Sequence, residues 1–399
     1  VVVTRVTAPS RRDHVGEIPI SELVRRWDAV RAYLHGHDAS ALVVSASQDY
    51  LGGSYRWLTD RAAQYDYGAA AVFHVDAPMT LIEHGDLGAV RELAGHPEYP
   101  GVGLVRTTAA FHSAAFTHGY EADLIIRDLR ENGCRRVAVA GLGAMPYRTG
   151  EALRNAGLEL LDATEWLDGV KAIKSDAEMI AVRAVAALQD EVFARTLTRI
   201  GPGMLESDVR AEVQAQAARL GSDQGVILTA SAALGQGAYP RYSYFQERRL
   251  QAGDYLMLLV EVNGRSGYYC ELGRIVSLGP APAQVRDGVA VSRELQAAVL
   301  RDIRPGVSAA EVAHRHDETL AAASLRPERR LFAHGQGYDL VERPLIRADE
   351  TMTLAAGMNL ACHPGKAGPD LFTFVCDNHL VTDTGVEPLH LTEQQVFEV

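Results

Sequence analysis

The sequence predicts two domains, an α/β domain over residues 1–168 and an α+β domain over residues 169–399. Three observations carry this reading. Short apolar runs with strand character alternate with helix-period segments through the first part of the chain. A capping pattern, Ser175-x-x-Glu178, starts a new long helix just beyond a junction at Trp166–Ser175. After that junction, a helix running into Pro-Gly and followed by a second helix occurs twice, at Ile200-Gly-Pro-Gly-Met204 with Asp208-Val209 and at Ile303-Arg-Pro-Gly-Val307 with Glu311-Val312.

Between Ile20 and Leu34 the apolar residues Leu23, Val24, Trp27, Val30 and Leu34 recur at helical spacing, and Ser21 is placed to cap that helix. Ala41–Val44, Ala70–Val75, Met79–Ile82 and Val137–Ala140 read as buried strands, and a helix from Ala122 to Glu131 precedes the last of them and stops at Gly133. The capping box then opens a helix to Ile200. The repeated helix, Pro-Gly and helix unit implies a pseudo-twofold second domain.

With 39 Lys and Arg against 51 Asp and Glu, the net charge is −12, which argues against nucleic acid or an anionic membrane as partner. The cysteines Cys134, Cys270, Cys362 and Cys376 show no CxxC spacing, so reduced thiols are expected. Val1–Arg5 lacks a signal-peptide core, and the longest apolar run, Tyr255–Val260, is too short to span a bilayer. A cytoplasmic location is the expectation.

The residues that point to chemistry lie in the second domain. They are His334-Gly335-Gln336-Gly337, then Glu342-Arg343-Pro344, then Cys376-Asp377-Asn378-His379, joined to Gly267-Tyr268-Tyr269-Cys270-Glu271-Leu272-Gly273-Arg274. Glycines on both sides of Gln336 let backbone pass close to a ligand. Together these motifs resemble the creatinase/aminopeptidase P/prolidase family, whose catalytic domain is called the pita-bread fold; the resemblance is strong from Val170 onward and weak before it.

Metallopeptidases of that family hold two metal ions through two aspartates, one histidine and two glutamates, a set that suits divalent first-row metals. By motif, the first aspartate falls at Val260, with Glu261 beside it, and Glu261 reaches the site only if a bulge redirects it. The second falls at Glu271. The histidine is kept as His334, while the glutamates become His363, before Pro364-Gly365, and Cys376, before Asp377. The family's further histidine before Glu-x-Pro is Val341, and the stretch Tyr239–Tyr244 has no histidine where its peptidases often place one for substrate.

The resemblance therefore implies a creatinase-like enzyme that needs no cofactor. It would hydrolyse or eliminate across a C–N bond of a small polar metabolite, with C–C and C–S bonds as lesser options. His334 would act as base and then acid, with Glu271 and Glu342 orienting it or holding a cationic group. His363 and Cys376 are either an acid/base histidine beside a nucleophilic thiol or, with Glu271 and His334, ligands of one Zn or Fe ion. Candidate substrate contacts are Arg56, Trp57 and Tyr65 in the first domain and Arg241, Tyr242, Glu261 and Tyr269 in the second. By the same resemblance the protein pairs as a homodimer, the first domain completing its neighbour's pocket. Two other readings stay open, an Xaa-Pro-type metallopeptidase with an unusual ligand set and a non-catalytic binding protein on the same fold.

Overall fold

The computed structural model describes residues 18–46, 53–62, 67–111, 113–114, 118–240 and 246–399. The chain divides into two compact units, Val1–Lys171 and Ala172–Val399.

The first unit comprises α1 (Ile20–Gly36), β1 (Ala41–Ala46), α2 (Gly53–Thr59), β2 (Ala69–His74), β3 (Met79–His84), β4 (Val90–Glu92), β5 (Val102–Thr108), α3 (Tyr120–Glu131), β6 (Arg136–Ala140), α4 (Tyr147–Asn155), β7 (Glu159–Asp162) and α5 (Thr164–Ala172). Its strands form a mixed sheet in the order β4-β5-β3-β2-β1-β6-β7. Alternate residues of the central strands, Val43, Val72 and Val137 among them, pack against Ile125 and Leu129 of α3. Gly133, at φ +66°, ends the chain's run out of α3. Ser21 does not cap α1. The helix begins one residue earlier with Pro19 at the N-cap and no side-chain cap bond, because Pro fixes a suitable φ there and Ser21 already lies in the first turn.

The second unit is built from two similar halves. In one, α6 (Asp176–Leu197) and α7 (Glu206–Leu220) precede β8 (Gly225–Ala232), β9 (Tyr255–Asn263) and β10 (Tyr269–Ser277). In the other, α8 (Ala283–Asp302) and α9 (Ala309–Ala322) precede β11 (Ala333–Gly335), β12 (Glu342–Leu345), β13 (Asn359–Cys362), β14 (Gly365–Ala367), β15 (Phe372–Phe374), β16 (Asp377–Thr382), β17 (Gly385–Pro388) and β18 (Val396–Glu398). Sheets run β18-β10-β9-β8 and β12-β11-β13-β16-β17, with β14 and β15 forming a separate ribbon. The repeated Pro-Gly turns take positive φ at Gly203 and Gly306, and each is fastened by an antiparallel bridge, Leu205 to Arg249 and Ser308 to Thr353. The capping box forms, Ser175 accepting from the Glu178 amide and Glu178 from the Ser175 amide.

The two halves meet at a bridge between Gly273 and Cys376, each amide donating to the other's carbonyl. A β-carbon on Gly273 would strike the Phe374 ring and come within 2.9 Å of the Cys376 Cβ, so only glycine permits this approach. Arg274, fully buried, reinforces the seam through the carbonyls of Gly273 and Cys376 and a 2.6 Å ion pair with Asp377. Among the described residues no helix is long and apolar enough to cross a membrane.

Candidate active site

Glu271 from β10, His334 from β11 and His363 just beyond β13 converge on this seam. Their ligand atoms lie within 4.8 Å of one another. Glu271 Oε2 is 3.6 Å from His334 Nε2 and 3.8 Å from His363 Nε2, and the two rings meet edge to face. Glu271 and His334 are buried and His363 is partly exposed, so the site opens at His363.

Local pairing explains these positions. β11 lies between β12 and β13, with His334 opposite Leu345 and Ala361. A β-carbon on Gly335 would fall 2.6 Å from the Arg343 carbonyl, and one on Gly337 would strike the Glu342 carboxylate, which is why the motif alternates glycine. The His363 amide donates to the Phe332 carbonyl at 2.7 Å, fixing its entry into the Pro364 turn.

His334 Nδ1 is 2.9 Å from the Gly335 carbonyl. A carbonyl only accepts, so Nδ1 carries a hydrogen and Nε2 is the ring nitrogen turned toward Glu271. Burial opposes charge on Glu271, yet the two imidazoles outweigh it and hold its carboxyl at about 2. Burial pushes His363 down to about 4, more than Glu271 lifts it. At neutral pH an ionised carboxylate therefore faces a neutral His363. Glu271 Oε2 is shielded from solvent and has no hydrogen-bond partner.

Glu261 faces the same way without the bulge that the sequence requires. β9 and β10 pair in continuous register, Glu261 directly opposite Glu271, while Val260 pairs with Leu272 and both enter the apolar core. Directly opposed residues of an antiparallel pair share a face. Burial and the neighbouring Glu271 push the Glu261 carboxyl well above its usual range.

Three amides to which the sequence assigned no role complete the setting. Gln336 donates to Glu261 Oε1 at 2.8 Å and accepts from Asn378, while Asn378 Oδ1 accepts the Glu271 amide at 2.6 Å. Asn359 accepts from Asn378 and donates to the Gln336 carbonyl. Asn378 stands two residues after Cys376, the signal that would have found it, since alternate strand residues share a face.

Other expected site residues have different duties. The Cys376 thiol donates to the Glu271 main-chain carbonyl at 3.5 Å, and burial with Glu271 nearby holds it well above its ordinary pKa, so it is not a nucleophilic thiolate. Glu342 is not free to catalyse. Its Oε2 is 2.9 Å from Lys174 Nζ and its Oε1 accepts the amides of Tyr338 and Asp339. Tyr269 is buried and donates to Gln224 at 2.6 Å. Trp57 is buried within the first unit, with the Arg26 guanidinium over its ring, so it is spent on that unit's packing instead of a substrate surface. Arg56 lies half-buried beside it on α2. Tyr65, Arg241 and Tyr242 lie outside the described residues.

A two-ion carboxylate centre does not fit these side chains, because Val260 is in the core, the Cys376 thiol is engaged and Glu261 holds to Gln336 in a setting that favours its neutral form. One divalent ion does fit. The orphaned carboxylate oxygen stands 3.6 Å and 3.8 Å from the two imidazole nitrogens, separations that two bonds of about 2 Å span, and the Nδ1–H of His334 is anchored as metal-binding imidazoles usually are.

Residues 181–383 match the pattern described as metallopeptidase family M24. The chain is 30% identical over 234 residues to the probable dipeptidase PepE of Mycobacterium tuberculosis, covering 57% of this chain and 61% of that protein. It thus spans about three fifths of the length of the curated relatives it first matches. The crystal structure of dipeptidase PepE from Mycobacterium ulcerans superposes with a TM-score of 0.76 at 24% identity, covering 96% of this chain and 100% of that one. The Xaa-Pro dipeptidase from Bacillus anthracis gives 0.75 at 16% identity, covering 94% and 100%. These two likenesses concern the fold.

Proposed function

The chain belongs to metallopeptidase family M24 and has its pita-bread fold, and from that premise we propose a hydrolase that cleaves a C–N bond of a small polar substrate at a one-ion site. The observation that carries this is Glu271 Oε2, buried without a hydrogen bond and facing two imidazole nitrogens. A carboxylate oxygen and two imidazole nitrogens brought together, with only His363 partly exposed, form a donor set that a cation between them would satisfy.

Glu271, His334 and His363 would hold the ion, a choice of donors that suits Zn²⁺ or Fe²⁺. Such an ion supplies Lewis acidity toward a carbonyl and toward water. Around it, Gln336 occupies Oε1 of Glu261, so the proton of that carboxyl rests on Oε2 on the face shared with Glu271. It is placed for transfer to the leaving nitrogen. Asn378 fixes the Glu271 backbone and Gly335 fixes the His334 ring, which keeps the donors aligned. The pairing of two copies, with the first domain serving the neighbour's pocket, is part of the same proposal.

Elemental analysis of protein purified without chelator, then after Zn²⁺, Mn²⁺ and Fe²⁺, tests it together with turnover of dipeptides, which the relatives' names put first, and of guanidino and amidine compounds. The proposal expects about one ion per chain, lost with turnover in His363→Ala and Glu271→Gln. Two ions would mean an ordinary two-metal peptidase. No ion, with turnover intact, would return the site to metal-free acid/base chemistry at His334.

A further inference from the structure

A cavity of about 50 Å³ lies within the first unit, between the end of β5 and the start of α3 and α4. Its lining includes Gly68, Ala110, Phe111, His118, Tyr120 and Glu121. It is aromatic on its walls. His118 and Tyr120 stack at 4.6 Å, and Phe111, 44% exposed, stands edge-on to the stacked pair Tyr67 and His84. Into this cavity comes one carboxylate. Glu121 Oε1 is closed off from solvent and hydrogen-bonds to nothing among the described residues.

That combination is unusual for a packing defect. A carboxylate buried without a partner is costly, and proteins normally pair it or replace it. Dry cavities that merely reflect imperfect packing are lined by apolar groups, without a carboxylate oxygen turned into them. Burial raises the Glu121 carboxyl to about 7, which lessens the cost of leaving it without a partner. The acidic side chain sits in the first turn of α3, where the helix dipole alone would favour it, yet the dipole does not require that an oxygen be buried. Asp123 in the same turn takes the exposed course and pairs with His118 at 3.2 Å.

We infer that this cavity binds a small organic cation with N–H donors, an alkylammonium or guanidinium group, which hydrogen-bonds to Glu121 and lies against the faces of Phe111, His118 and Tyr120. The volume admits about three or four water-sized groups, which sets the size of the cation at that of methylguanidinium. Aromatic faces attract such cations even at exposed sites, and the unpaired oxygen supplies the acceptor that gives preference over a quaternary ammonium. The inference is separate from the hydrolase proposal, and every residue it uses belongs to the first unit.

Saturation-transfer NMR titrations with methylguanidinium, ethylammonium, tetramethylammonium and neutral methylurea test it on the full chain. The expected result is saturable binding of the first two, weaker binding of tetramethylammonium and none of methylurea. Affinity should fall at least tenfold in Glu121→Gln and severalfold in Phe111→Ala, with hydrolytic activity unchanged in both. On the unmodified protein it should rise between pH 6 and 8, as Glu121 ionises. Absence of saturable binding at pH 8, equal affinity in Glu121→Gln, equal binding of methylurea, or a flat pH profile would each overturn it. Absence of saturable binding to the unmodified protein at pH 8 overturns the proposal even if the variants fail to fold.

Discussion

Lys174 Nζ lies 2.9 Å from Glu342 Oε2, both side chains buried, joining the start of the second unit to the loop that carries the glycines around Gln336. The pair is 168 residues apart in sequence. Glu342 also accepts the amides of Tyr338 and Asp339, so this charge holds the loop in shape.

Breaking one side of a buried ion pair strands the other. Lys174→Ala should cost about 3–5 kcal/mol of stability, read from urea unfolding midpoints at unchanged m-value. A loss below about 1 kcal/mol would mean that the pair contributes no more than a surface one.

Substitution should separate His334 from Cys376. His334→Ala removes one of the three proposed ion ligands and should lower ion content and kcat together on any substrate found. Cys376→Ser keeps a small donor toward the Glu271 carbonyl, so kcat and ion content should change by less than about threefold. A fall for Cys376→Ser as large as that for His334→Ala would restore the thiol to the chemistry.

Gly273→Ala places a methyl where Phe374 and Cys376 already stand. Overpacking of this kind costs about 1–3 kcal/mol, and the displaced bridge also carries Glu271, two residues away. Lower thermal stability together with weaker ion binding is expected. A variant as stable as the parent would show that the seam yields without strain.

His74 gives a pH dependence from a different part of the molecule. Burial opposes its charge, but the 2.8 Å contact with Asp128 prevails and lifts it to about 9. A folded pKa above the unfolded value of about 6.5 means stability that is complete below that value and lost as pH rises through 9. The loss is on the order of 3 kcal/mol. Thermal midpoints between pH 6 and 10 should fall along this course and should flatten in His74→Gln. An unchanged slope in that variant would place the titration elsewhere.

What could be read from the sequence was local. Ser175 and Glu178 form their box because both partners lie within one helical turn, and the doubled Pro-Gly unit repeats because each copy starts the same kind of half. His334 stood out because the flanking glycines are a steric demand visible in one dimension. The Lys174 partner of Glu342 was not legible because it lies 168 residues away in sequence. Trp57 looked like a loop aromatic because nothing near it in sequence reveals Arg26 above its ring. Gln336 and Asn378 escaped notice because an uncharged amide acquires meaning only from what it touches.

The hairpin between β9 and β10 shows how the identity of a site can depend on a count. Gly264 and Gly267 turn the chain so that Glu261 and Glu271 are paired and Val260 is directed into the core. A one-residue shift of β9 would turn every side chain of that strand over, presenting Val260 in place of the acid and driving Glu261 into the apolar core. The turn therefore works as a selector. Its length decides which face of β9 carries the acid, so a shift there would strip the site of Glu261 and disturb the core in the same step.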